Sequence, residues 1–276
     1  MLKKQKQLFT KLSNAGTQSN PMLADDQVLA AQALVVDVFR GFRSQLLMVF
    51  GNIEHTRKAD NSPVTIWDVA VEEALKLRLN ALFPVWGFEG EETGASGSRE
   101  TYWLVDPIDG TSSFIRGLPF STNMAALVHN GVVVAAVIYD FVNDVLYTAI
   151  KGKGAFKDGK QIHLNTTRAA GNLFAYSMTR TKFGLIQEAM DALHIRALLP
   201  VGAAGHSYIT LAEGKIDGVI VLNAGNGLHD NAPGVLLAEE AGAKLLPYDD
   251  KQGVERSQFI LGSPVLVDLI ETSGLI

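Results

Sequence analysis

Tyr102-Trp103-Leu104-Val105-Asp106-Pro107-Ile108-Asp109-Gly110-Thr111 is the stretch on which the reading of this chain turns. Its first four residues are apolar and read as a short buried strand. Two carboxylates follow, three residues apart, where that strand is expected to end in a tight turn. Pro107 fixes one backbone angle and has no N–H to place. Gly110 permits a bend that a side chain would resist. The turn is expected to bring Asp106, Asp109 and the Ile108 carbonyl to one point. Such a set of hard oxygen donors suits Mg²⁺ or Mn²⁺.

Working outward from that stretch, the chain before it reads as two helices. Apolar residues recur at helical spacing between Met22 and Phe50 (Val28, Ala31, Leu34, Val35, Val38, Phe39, Phe42). Thr65-Ile66-Trp67-Asp68 resembles a capping box with Asp in place of Glu, and it opens a second helix that stops before Pro84. A loop rich in Gly and Glu is expected from Phe88 to Ser98. After the central stretch the pattern turns to strands: 125–128, a turn at His129-Asn130-Gly131, then Val132 to Tyr139, with a hairpin turn at Lys157-Asp158-Gly159-Lys160.

The second half alternates. Strands are expected at Leu173–Ser177, Gly218–Leu222 and Phe259–Leu261. Helices are expected at Leu185–Leu193, Ala203–Ala212 and Ala232–Ala241, the last closed by Gly242, with a final helix from Pro264. The change of pattern near Lys151 to Lys160 divides the chain into a tail (1–20), an N-terminal α+β subdomain carrying the metal site (21–155) and a C-terminal α/β subdomain completing it (156–276).

Composition narrows the classes. Of 276 residues, 47% are hydrophobic and 19% charged, so a large core can be buried. A net charge of −5 argues against a broad nucleic-acid surface, and no direct nucleic-acid contact is expected. There is no cysteine, which rules out disulfides and thiolate-bound zinc. The basic tail (Lys3, Lys4, Lys6, Lys11) lacks the apolar run of a secretory signal, and no stretch is long enough to span a membrane; a cytoplasmic protein is the expectation.

Three more acidic segments are candidates for the same site: Gly90-Glu91-Glu92, Asp68 in the first turn of its helix, and Asp230 after Gly225-Asn226-Gly227. A carboxylate beside the free N–H groups of a helix start suits a metal with a phosphate next to it. On these motifs, together with Lys58-x-Asp60-x-Ser62-Pro63-Val64-Thr65-x-x-Asp68 and Glu240-Ala241-Gly242, the chain resembles the inositol monophosphatase family of Mg²⁺-dependent phosphomonoesterases.

The resemblance implies an α/β layered αβαβα sandwich of the sugar-phosphatase type. It implies that Glu91, Asp106 and the Ile108 carbonyl hold one metal, that Asp106, Asp109 and Asp230 hold a second, and that a third, weaker Mg²⁺ again uses Glu91; Mn²⁺ is an alternative ion. Thr111, supported by Asp68, would orient the attacking water together with Glu91. The Gly110 and Thr111 N–H groups would contact the phosphate, and Asp230 would face the substrate. Lys58 matches a family lysine near the site. The implied substrate is a small phosphomonoester, with inositol monophosphate first and histidinol phosphate or a 3′(2′),5′-bisphosphate nucleotide as alternatives. Relatives form homodimers, and some bacterial relatives bind the transcription machinery instead. One departure stands out: many relatives carry Trp-Asp where this chain has His229-Asp230.

Overall fold

The computed structural model describes residues 23–169, 171–179, 183–200, 202–222 and 227–274. The basic tail, Asn223 and the 225–226 part of the Gly-rich approach lie outside the described residues. Two helices come first: α1 (Asp25–Val49) and, after the small strands β1 (Thr56–Arg57) and β2 (Pro63–Val64), α2 (Ile66–Leu82). A large sheet then forms from β3 (Gly87–Gly90), β4 (Gly94–Ser96), β5 (Thr101–Asp109), β6 (Thr122–His129), β7 (Val132–Asp140), β8 (Val145–Ile150), β9 (Gly154–Lys157) and β10 (Lys160–Ile162), with the one-turn helix α3 (Thr111–Phe114) after β5. Its order is β10-β9-β8-β7-β6-β5-β3-β4, antiparallel except where β3 pairs with β5.

The second half supplies β11 (Leu173–Ser177), α4 (Phe183–Ala192), β12 (Ile195–Leu198), α5 (Ala204–Ala212), β13 (Gly218–Val221), α6 (Leu228–Glu240), β14 (Lys244–Pro247), β15 (Phe259–Gly262) and α7 (Pro264–Ser273). These strands form a five-stranded sheet, β12-β11-β13-β15-β14.

Side-chain alternation explains the layering. In β7, Ala135, Val137 and Tyr139 pack into a core with α1 and α2, while Ala136 and Ile138 face the other way, into a core with α5 and α6. A strand with both faces buried reads as a near-continuous apolar run, as β7 does up to Tyr139. The second sheet repeats the arrangement: Val219, Val221, Phe259 and Leu261 join the α5–α6 core, and Ile220 and Ile260 join a third core with α4 and α7. The order is therefore helices, sheet, helices, sheet, helices, which is the αβαβα sandwich expected from the sequence. Helices α5 and α6 form the middle layer and cross closely. A methyl group on Gly234 of α6 would sit 2.1 Å from the Tyr208 ring of α5.

Several expectations need correction. The Phe88–Ser98 loop contains β3 and β4, paired with each other and, through β3, with β5. The helix expected from Ala232 starts at Leu228, so Asp230 lies inside its first turn rather than before it. Strands β12 and β14 were not expected. The turn expected after Val105 comes later, because β5 continues through Asp109.

Candidate metal and phosphate site

The acidic cluster owes its geometry to an irregularity in β5. Residues three apart in a regular strand point to opposite faces. Here Asp106 pairs with Met124 and Asp109 with Thr122, so three steps on β5 match two on β6. This is a bulge, and Pro107 sits in it, one of the few sheet positions where a residue without an N–H is tolerated. Ile108 turns into the α1–α2 core. Asp109 turns back to the α5–α6 side, where its carboxylate accepts from the N–H groups of Ala204 (3.0 Å) and Gly205 (2.6 Å) and from Thr122 Oγ1 (2.9 Å). Gly110, at φ 80°, then breaks the strand. A side chain there would also meet the Ala203 methyl at 2.7 Å and the Phe120 carbonyl at 2.8 Å.

Two other elements converge on the strand end. The loop after β3 carries Glu91, whose N–H bonds to the Val105 carbonyl. The first turn of α6 carries His229 and Asp230; Asp230 accepts the Gly227 N–H at 2.7 Å. The structure thus gathers ligand atoms of Asp106, Asp109 and Asp230 in one group, and of Glu91, Asp106 and His229 in another; within each group all lie within 4.8 Å of one another. Asp106 belongs to both. It is 2% exposed, and its Oδ1 is buried with no hydrogen-bond partner among the described residues.

Burial and mutual repulsion hold the protons of the cluster's aspartates tightly. Burial, then Glu91, Asp109 and Asp230, pushes the Asp106 carboxyl well above the usual carboxylate range. Burial and Asp230 push Asp109 up to about 6, and burial with Glu91 raises Asp230 although His229 opposes it. A buried carboxylate without partner or proton is costly. A donor set of four carboxylates, one of them with a bare buried oxygen, fits hard divalent cations.

Thr111 and Asp68 lie beside this cluster. Asp68 closes the capping box of α2, accepting from the Thr65 N–H (2.7 Å) and hydroxyl (2.6 Å). Burial pushes its carboxyl up to about 6. Its other oxygen lies 3.4 Å from Thr111 Oγ1, which is 3.0 Å from the Ile108 carbonyl. The hydroxyl has one proton and two acceptors within reach. Lys58 Nζ bonds Glu91 and Glu92, each at 2.6 Å; burial alone would lower its pKa, and these bonds outweigh that effect. A cavity of about 640 Å³ opens over these groups. Glu91, Asp109, Gly110, Thr111 and Asp230 line it together with Ser177, Met178, Pro200 and Ala203.

Sequence reasoning missed Glu72. It is fully buried in α2 and accepts the N–H groups of Glu92 (2.9 Å) and Thr93 (2.8 Å) and the Thr93 hydroxyl (2.7 Å). Its carboxylate thereby anchors the loop that presents Glu91. A Glu72→Ala variant strands two backbone donors, so unfolding in urea is expected to show a loss of about 2–4 kcal/mol. A loss below about 0.5 kcal/mol would mean that the loop is held by other contacts.

Known proteins share the sequence family and the fold. The profile of the Inositol monophosphatase family matches residues 26–272. The Nus factor SuhB of Xylella fastidiosa is 31% identical over 209 residues, covering 71% of this chain and 75% of that protein. Inositol monophosphatase 2 of Solanum lycopersicum is 32% identical over 208 residues, covering 71% and 77%. Among solved structures, the extragenic suppressor protein SuhB of Bartonella henselae superposes with a TM-score of 0.76 at 26% identity, covering 88% of this chain and 97% of that one. The IMPase of Thermotoga maritima has the same fold, with a TM-score of 0.75 at 21% identity over 91% and 97% of the two chains.

Proposed function

This chain belongs to the inositol monophosphatase family, and on that premise we propose that it hydrolyses a small phosphomonoester with water, in a divalent-cation site built on Glu91, Asp106, Asp109 and Asp230. The observation that carries this reading is the buried Asp106, the residue shared by two ligand groups, whose Oδ1 finds no hydrogen-bond partner among the described residues. Bound Mg²⁺ or Mn²⁺ would supply hydroxide near neutral pH and offset negative charge on the phosphate.

The residues of the chain do the rest. Asp106, the Ile108 carbonyl and Glu91 hold one cation; Asp106, Asp109 and Asp230 hold the other. The N–H groups of Gly110 and Thr111 receive phosphate oxygens. When Thr111 turns its proton toward Asp68, a lone pair of its hydroxyl is free to accept from the attacking water and orient it. Glu91 accepts from the same water, with Lys58 fixing the carboxylate from behind through Oε1. Phosphoryl transfer needs positioning and charge stabilisation more than a protein nucleophile, which suits a site of carboxylates and one threonine.

The lining of the cavity supports an uncharged organic moiety. Among the described lining residues none is a lysine or arginine, and Ser62 and Ser112 bring hydroxyls to it. A polyol monophosphate such as inositol monophosphate fits this lining better than a bisphosphate. The test is phosphate release with Mg²⁺ from inositol monophosphates, histidinol phosphate, fructose bisphosphate and 3′-phosphoadenosine 5′-phosphate. Inositol monophosphate is expected to turn over fastest; a faster bisphosphate would overturn the substrate assignment. No release from any of them would reject the enzyme reading. It would favour the role suggested by relatives named Nus factor, tested by co-purification with RNA polymerase.

A further inference from the structure

His229 stands where a purely carboxylate site would have no nitrogen. It is the second residue of α6, and its Nε2 lies 3.7 Å from Glu91 Oε2 and 3.9 Å from Asp230 Oδ1. Both distances are too long for hydrogen bonds. They match two donors on one ion instead: ligands about 2.1 Å from a metal stand roughly 3.0 to 4.2 Å apart, depending on the angle between them. Glu91 divides its oxygens accordingly. Oε1 is held by Lys58 at 2.6 Å, and Oε2 is the oxygen that faces His229.

Two further observations point to a ligand there. The bare buried oxygen belongs to Asp106, the third member of this group. Gly227 makes room for the ring: a Cβ at that position would lie 2.4 Å from His229 Cε1 and 2.6 Å from Nε2, so any side chain there would push the imidazole off the cluster.

We propose that His229 is a direct ligand, through Nε2, of the metal position formed with Glu91 and Asp106, and that this position selects Mn²⁺ or Zn²⁺ over Mg²⁺. Mg²⁺ takes oxygen donors and holds its waters tightly, whereas imidazole suits the first-row transition ions. The proposal rests on the cation-site reading above and adds an ion preference to it.

The test uses the metal-free full chain loaded with Mn²⁺ and read by pulsed EPR, beside binding isotherms for Mn²⁺, Zn²⁺ and Mg²⁺. The wild type is expected to show a directly bound ¹⁴N that changes to ¹⁵N on labelling with ¹⁵N-histidine. The His229→Gln variant is expected to lose that signal. It is also expected to bind Mn²⁺ and Zn²⁺ at least about 10-fold more weakly, a loss as large as that of a supporting partner, while Mg²⁺ changes less than about 3-fold. The label reads the wild type alone, so the answer does not depend on how well the variant folds. Bound Mn²⁺ with no histidine nitrogen, or equal weakening for all three ions, overturns the role of His229 and leaves the phosphatase reading intact. Failure of the wild type to bind any of the ions overturns both.

Discussion

Asp106→Asn is expected to abolish metal-dependent phosphate release while leaving the metal-free protein at least as stable as its parent. The two halves of this result have one cause. The Asp106 carboxylate is buried, its Oδ1 has no partner among the described residues, and burial together with four other carboxylates raises its pKa. In the metal-free fold it is therefore a cost, and an amide of the same shape removes a buried charge without opening a cavity. The Asn NH₂ also gains Glu91, Asp109 and Asp230 as nearby acceptors. We expect the metal-free melting temperature at pH 8 to rise by about 2–6 °C, which corresponds to roughly 1–2 kcal/mol in a chain of this size. In the loaded protein the same change removes the one side chain common to both ligand groups. A loss of at least about 10³-fold in turnover follows if only about 4 kcal/mol of charge stabilisation depends on it. Phosphate release above a tenth of the wild-type rate would reject the assignment. A variant that loses activity only because it unfolds would make Asp106 a structural residue.

The legible and illegible parts of this site differ for physical reasons. Asp106, Asp109 and Thr111 could be found because acids, a proline and a glycine at such close spacing after an apolar run have few other uses. How the acids come to share a face could not be read. The period of a strand puts residues 106 and 109 on opposite sides, and only the pairing with β6 reveals the bulge that reverses this. A turn was the natural substitute explanation, and the turn is real, but it begins at Gly110. The helix expected from Ala232 likewise begins four residues earlier, at Leu228, and carries Asp230 inside it.

Glu72 was invisible for a different reason. Val71-Glu72-Glu73 looks like solvated helix surface. The available signal was register: Asp68, Glu72, Leu75 and Leu79 follow helical spacing on one buried face, so an acid among them had to have a partner. Strands β12 and β14 were hidden because each is four residues long and interrupted by a charge or a proline, and neighbouring strands rather than local pattern hold them in place.

The second large effect expected is on stability. The metal-free protein should melt higher at pH 5.5 than at pH 8, and a divalent cation should reverse that order. Asp68 and Asp109 have folded pKa values near 6 against an ordinary value of 3.8, and Asp106 and Asp230 are raised as well. A group whose pKa is raised by folding binds its proton more tightly in the folded chain. The folded state is therefore favoured as pH falls through 6 toward 4, and the full penalty of the ionised group is felt above 6. A shift of about two units corresponds to about 3 kcal/mol in full, of which a carboxyl with a folded pKa near 6 recovers about 0.8 kcal/mol between pH 8 and pH 5.5, so Asp68 alone should move the melting temperature by about 2–3 °C. Carboxyls held below their ordinary range, such as Asp140 and Asp249, act in the opposite sense, but only near and below pH 4, so they do not cancel the effect in this window. Saturating Mg²⁺ or Mn²⁺ at pH 8 replaces the missing protons with ligand bonds and should raise the melting temperature by at least as much. At pH 5.5 the ion must first displace protons, and its effect should shrink. Thermal melts at the two pH values, with and without cation, read all four states. Equal stabilisation by the ion at both would mean that protons and metal do not compete for these carboxylates, and the cluster would then have to bind its cation somewhere other than Asp106, Asp109 and Asp230.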